Sequence, residues 1–159
     1  MKWLVVLVLF LFAVPPSYAD DHTKLLGTWK LVSWESEFQA TGERELVLGK
    51  SPTGYSIFTR EGRMMTVLTG EGRTAPKTDL DRANLFKSML AYTGMFRIEG
   101  DKMIIKVDGS WNPAWMGTEQ VRFLKFDGDR FHVLTPWMKS TLRPEKGMTR
   151  VILTFERAK

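Results

Sequence analysis

The sequence predicts an all-β protein: a closed antiparallel up-and-down β-barrel of about eight to ten strands with one short α-helix. Three observations predict it. Short runs of alternating apolar and polar residues fill most of the chain after residue 26. Three pairs of these runs are joined by tight Gly/Asp turns. A single segment, between Lys77 and Tyr92, changes to a helical pattern.

The chain starts with a segment that is not part of the fold. Residues 1–19 read as a secretory signal peptide: Lys2 is the charged start, Trp3 to Val14 is unbroken apolar sequence, and Pro15-Pro16 breaks it. Ser17-Tyr18-Ala19 supplies the small residues of a cleavage site, so cleavage is expected before Asp20. The apolar run is shorter than the about 20 residues of a spanning helix, so no stable membrane span is expected after cleavage. The chain has no cysteine, which excludes lipid attachment at a lipobox and any disulfide. The expected location is periplasmic or secreted. Residues 20–159 then form one domain, enough chain for a single core. His22 is expected to lie in a disordered N-terminal stretch.

The elements follow in order. Gly27 to Glu37 alternates as a strand, with Trp29, Leu31 and Ser33 on one face and Lys30, Val32 and Trp34 on the other. Glu45 to Leu48 is a short second strand. Tyr55 to Thr59 and Arg63 to Thr69 form a hairpin across Glu61-Gly62. Gly70 to Lys77 is a polar Gly/Pro loop. Thr78 caps a helix of about three turns, with Asp79 and Asp81 in its first turn and Leu80, Ala83, Phe86 and Leu90 near one face. Tyr92 to Glu99 and Met103 to Asp108 pair across Gly100-Asp101. Val121 to Phe126 and Phe131 to Thr135 pair across Asp127-Gly128-Asp129, and Met148 to Arg157 closes the series. So many strands must hide their edges, and closing into a barrel does so. A barrel of this size holds packed side chains or one small ligand. The helix is expected to cover a mouth or pack on the wall.

Several stretches together resemble the lipocalin-like domain family, of the lipocalin-like domain 5 type. They are "LLGTWKLVSWE", "SPTGYSIFTREGRMM", "YTGMFRIEGDKM" and "NPAWMGTEQVRFLKFDGDRFHVLT". The most specific part is the Trp-x-Gly-Thr-Glu-Gln-Val-Arg segment from Trp115, with the "DGDR" hairpin after it. The resemblance runs in register to "LTFER" and implies a calycin-type barrel. Most members have no assigned activity; some relatives guide cyclisation or isomerisation of a bound hydrophobic intermediate. Members often carry a His-His pair in the strand before the Trp-rich loop. Here those positions are Ile105 and Lys106, so chemistry resting on that pair does not carry over.

The candidate ligand-binding residues are Trp111, Trp115, Arg122, Tyr55 and Trp137. Trp111, Trp115 and Trp137 fall near predicted strand ends, where large apolar faces suit a ligand mouth or a plug of the barrel end. Gln120, Arg122, Leu124 and Phe126 share one strand face, so an inward Arg122 needs an acidic partner or an anionic ligand. Glu119 and Arg63 are the other polar groups of note. His132 alternates with Phe131 and Val133 and is expected on the solvent face. Two distant histidines and no cysteine make no metal or haem site, and no cofactor is expected. The nine methionines are adaptable filler for a core or a ligand. Removing residues 1–19 takes away only Lys2, so the net charge falls from +5 to +4. Basic and acidic residues intermingle with no run of five or six like charges, which argues against a nucleic-acid partner.

Three function classes remain. The leading one is an exported module that binds a small, mostly hydrophobic and conceivably anionic molecule in its barrel. The others are a cyclase or isomerase acting on a hydrophobic intermediate, and a filled barrel with a structural or interaction role. The sequence sets neither the ligand nor the oligomeric state. Cleavage before Asp20 is testable: the intact mass of exported protein should lack residues 1–19, and a membrane-bound chain retaining Met1 would refute it.

Overall fold

A computed structural model describes residues 19–140 and 144–159, with side chains from His22 onward. The expected leader therefore lies outside the described residues, apart from Ala19. The strands are β1 (Gly27–Phe38), β2 (Arg44–Leu46), β3 (Thr53–Phe58), β4 (Arg63–Thr69), β5 (Met89–Glu99), β6 (Lys102–Ser110), β7 (Glu119–Asp127), β8 (Arg130–Leu134), β9 (Met138–Lys139) and β10 (Met148–Arg157). Helix α1 (Ala19–Leu25) precedes them, and α2 (Asp79–Lys87) lies between β4 and β5.

Every strand pairing is antiparallel. β1, β3, β4, β5, β6, β7, β8 and β10 follow one another, and β1 pairs back onto β10, which closes an eight-stranded ring. The short β2 and β9 flank the ends of β1 and β10 nearest the Trp-rich loop. The three expected hairpins are all present, because each turn is set by local residues.

Three elements differ from the sequence reading. First, Trp34 does not lie opposite Trp29. Leu31 pairs with Phe155 and Ser33 with Thr154, so Val32 is an extra residue: a β-bulge. The bulge reverses the alternation, and Trp34 turns inward to pack on the core. Second, α2 is shorter than expected. The Ser88 backbone N–H closes it on Asn84 O and Leu85 O, and Leu90 belongs to β5, paired with Leu68. The expected cap at Thr78 is present and forms a capping box: the Asp81 N–H donates to Thr78 Oγ1, and the Thr78 N–H donates to the Asp81 carboxylate. No α2 residue is buried; Leu80 is 69% exposed and Phe86 49%. Third, His22 is in an ordered element. It is part of α1 and stacks on Phe96, centroids 5.4 Å apart.

α1 and the aromatic residues close one end of the barrel. Leu25 is fully buried in the core, and its carbonyl accepts the Trp29 indole N–H at 2.7 Å. Behind it Trp29, Phe58, Phe96, Phe131 and Phe155 interlock, mostly edge to face at 4.6–6.1 Å, with Phe131 and Phe155 stacked. This end is filled. The opposite end, where the Trp-rich loop enters β7, is not.

Gly54 marks a tight place in the wall. Its φ is +139°, and a Cβ there would lie 2.1 Å from Val67 O on the paired β4. Only glycine relieves both conflicts. Gly54→Ala should therefore destabilise the barrel by at least about 1 kcal/mol, read from urea unfolding; an unchanged midpoint would show that the strands do not approach this closely.

Candidate functional site

The open end of the barrel holds a cavity of about 310 Å³. Its lining includes Trp34, Leu90, Tyr92, Trp111, Trp115, Gln120, Arg122 and Leu153. Local sequence builds the aromatic wall. Asn112 caps a short 3-10 turn (Pro113–Trp115) by accepting the Ala114 N–H at 3.1 Å, with Pro113 in a first-turn position that needs no donor. Trp111 is tied to β5 through its N–H to Ala91 O at 2.8 Å. The Thr118 hydroxyl and N–H both donate to Trp115 O. Held in this way, Trp111 and Trp115 stand edge to face at 5.0 Å, and Trp115 meets Tyr92 in the same manner at 5.3 Å.

Among the described residues, Arg122 is the one charged residue that is buried, at 7% exposure. Its β7 alternation places it inward, level with Met103 of β6. The guanidinium carbon lies 5.6 Å from the Trp115 ring. Nη1 donates to Val121 O at 2.8 Å and Nη2 to Gln120 Oε1 at 3.2 Å. Gln120 is itself oriented by donating to Thr118 Oγ1 at 2.9 Å. Among the described residues no carboxylate pairs with Arg122. The nearby Tyr92 phenol is pushed up by burial, while the Arg122 guanidinium beside it pulls the other way. The phenol therefore keeps its proton at neutral pH. The cavity thus joins one buried cation, one neutral phenol and an aromatic wall.

Of the candidate residues, Trp111, Trp115 and Arg122 come together here. Tyr55 does not join them. It is 50% exposed, faces outward on β3 opposite Lys30, and lines a surface cleft with Lys30, Arg130 and Glu156. Trp137 is also elsewhere: it lines a shallow groove with Phe123 and Pro136 and lies under the Arg150 guanidinium at 4.5 Å. Arg63 and Glu119 are on the outer surface, paired with Asp108 and Arg97 respectively. His132 alternates with the buried Phe131 and Val133, and its Nδ1 is 3.0 Å from Thr154 Oγ1. Among the methionines, Met64 and Met103 are core, whereas Met89 and Met138 line the cavity. Tyr92 and Trp34 are site residues that the sequence reading missed. Tyr92 precedes Arg122 by thirty positions and shares no motif with it; Trp34 is turned inward by the Val32 bulge. No three His, Cys, Asp or Glu side chains among the described residues converge as metal ligands.

Residues 26–158, almost all of the described chain, match the lipocalin-like domain family. The chain belongs to that family. Its lipocalin-like barrel can be set beside one solved structure, a complex of EF1p2_mFAP2b with DFHBI. The two share 15% sequence identity, with 89% of this chain and 100% of that chain covered at a TM-score of 0.45. None of the curated proteins matches the sequence. Within the lipocalin-like barrel, Ile105 is fully buried in the apolar core and Lys106 is exposed.

The neutral surroundings of Arg122 have a consequence for stability. Breaking a buried ion pair costs about 3–5 kcal/mol. Arg122→Met removes a buried charge that has no carboxylate partner, so unfolding free energy should change by less than about 1 kcal/mol, with the lost hydrogen bonds offset by the relieved desolvation. A drop in thermal stability of the ion-pair size would reveal an acidic partner.

Proposed function

We propose that this protein is an exported binding module that holds one small, mostly apolar molecule, with an anionic head, in the open half of its barrel. The observation that carries this reading is the buried Arg122 with only neutral partners. Taking a charge out of water is expensive unless it is paired. A ligand carboxylate, phenolate or enolate supplies the missing charge through short, charge-assisted hydrogen bonds. Trp111, Trp115 and Tyr92 supply apolar area for the rest of the molecule. The volume of about 310 Å³ is at the small end of ligand pockets, which run from about 300 to 1,000 Å³. That favours a compact molecule. Export rests on the charged and apolar N-terminal segment.

The Tyr92–Arg122 contact supports a catalytic version of the same reading. A neutral phenol beside a fixed cation is suited to stabilising an enolate while the walls hold a reactive shape. Turnover of the bound molecule separates the two readings; a molecule recovered unchanged favours binding alone.

The test uses tryptophan emission with two probes of similar shape, 2-naphthoate and 2-naphthalenemethanol. Saturable emission changes are expected for both. Arg122→Met should weaken the naphthoate by about 1.5–3 kcal/mol, the worth of a charged hydrogen bond, and leave the alcohol unchanged. Trp115→Ala should weaken both responses, whereas Trp137→Phe, outside the cavity, should weaken neither. Trp34 is no control for this purpose, because it lines the cavity. Equal losses for the two probes in Arg122→Met, or no saturable change with either, would overturn the reading.

A further inference from the structure

Trp34 carries a second polar signal in the same cavity. Its indole N–H is buried and has no hydrogen-bond partner, and it is the one such side-chain atom among the described residues. The contrast with Trp29 is direct: that indole, at the filled end, donates to Leu25 O. Buried tryptophan N–H groups are usually partnered, because a lost hydrogen bond to water must be replaced. Trp34 lines the cavity that also contains Arg122.

The ring order fixes how the two groups relate. Trp34 is on β1 and pairs with Leu153 of β10. Between β1 and β7, which carries Arg122, stand β10 and β8 on one side and four strands on the other. With neighbouring strands about 4.8 Å apart, a ring of eight tilted strands is about 12–16 Å across between backbones. The strands that carry Trp34 and Arg122 therefore stand on separate parts of the wall, and both residues line the cavity. Both are pure donors: an indole N–H and a guanidinium accept nothing. In the same cavity, Trp111, Trp115 and Tyr92 form a corner of rings set at 76–77° to one another, which offers faces and edges to a flat body.

Building on the binding reading above, we propose that the cavity recognises its ligand at two points: an acidic group at Arg122 and, on the other side of a flat aromatic body, an acceptor oxygen at the Trp34 indole N–H. The ligand class is then an aromatic acid, phenolate or enolate with a carbonyl or ether oxygen remote from its charged group. A site with a buried donor discriminates against analogues that lack the matching acceptor, since the donor is left unpaired. The Val32 bulge is what brings this donor inside, so the same irregularity that reverses β1 sets the selectivity.

The experiment is calorimetric titration of two probes of nearly equal shape, 6-acetyl-2-naphthoate and 6-isopropenyl-2-naphthoate, of which only the first has the second acceptor. The wild-type protein should prefer the acetyl probe by about tenfold, the size of one net hydrogen bond. Trp34→Phe should abolish that preference, so that the two probes bind within about twofold of each other. Arg122→Met should weaken both probes alike and keep the preference. In the wild-type protein the Trp34 indole N–H proton should lie further downfield with the acetyl probe than with the isopropenyl probe, whose ring shifts it equally, a readout that does not depend on the variant folding. Binding of both probes without preference, a preference that survives Trp34→Phe, or the same indole proton shift with both probes overturns the two-point inference alone. Failure of both probes to bind, or no effect of Arg122→Met, overturns the binding reading and this inference with it.

Discussion

The pairing of β1 with β10 is the constraint on which the rest of the structure depends. It joins the first and last strands of the barrel, from Trp29 with Arg157 to Phe38 with Thr149. Without it the sheet would have two long open edges, with unpaired backbone groups on both. With it, every strand has an inside and an outside, and each apolar alternation has a core to face. The seam is also where the wall departs from regularity. The extra residue at Val32 lets the β1 half next to α1 bury Trp29 and Leu31, and the half next to the loop bury Trp34.

The interior is divided by chemistry as well as by position. At the α1 end, phenylalanines and Trp29 fill the space and satisfy one another. At the loop end, the polar atoms are clustered: Arg122, Gln120, Tyr92 and the Trp34 N–H share one cavity. A barrel selected only to be solid gains nothing from a cation there, since an apolar side chain of similar size avoids the desolvation penalty. The outer surface shows the contrast. There Arg63, Arg97 and Lys146 each have carboxylate partners, some of them two.

Much of this was legible in the sequence, and the exceptions have a common origin. Hairpins were legible because a tight turn and two alternating arms are encoded within some fifteen to twenty residues. The inward direction of Arg122 was legible from its parity with Leu124 and Phe126. Trp34 was not, because a bulge is a relation between two strands more than a hundred residues apart in the chain, and nothing in β1 alone marks it. The end of α2 was misread because Leu90 fits a helical stripe and a strand equally well; the choice is made by its pairing with Leu68. Trp137 was grouped with the other loop tryptophans by its position near a strand end, which says little about the side of the wall it occupies. Tyr55 carries no parity signal toward the interior, and its pairing with Val67 and Lys30 sets it on the outer face.

The closed base and open top make the barrel a cup and not a tube. Anything that enters the cavity leaves by the same opening, past Lys87 and beside Phe86, whose ring is 6.3 Å from Trp111. Those residues belong to α2, a helix with no buried residue. Occupancy and exchange are thus governed by different parts of the molecule. On the binding function proposed above, the walls, with Arg122 and the tryptophans, set how tightly a molecule is held. The rim, which includes Lys87 of that helix, is what such a molecule passes on its way in and out. Substitutions on α2 can then change entry and exit rates in the same proportion, so that residence time varies while equilibrium affinity does not.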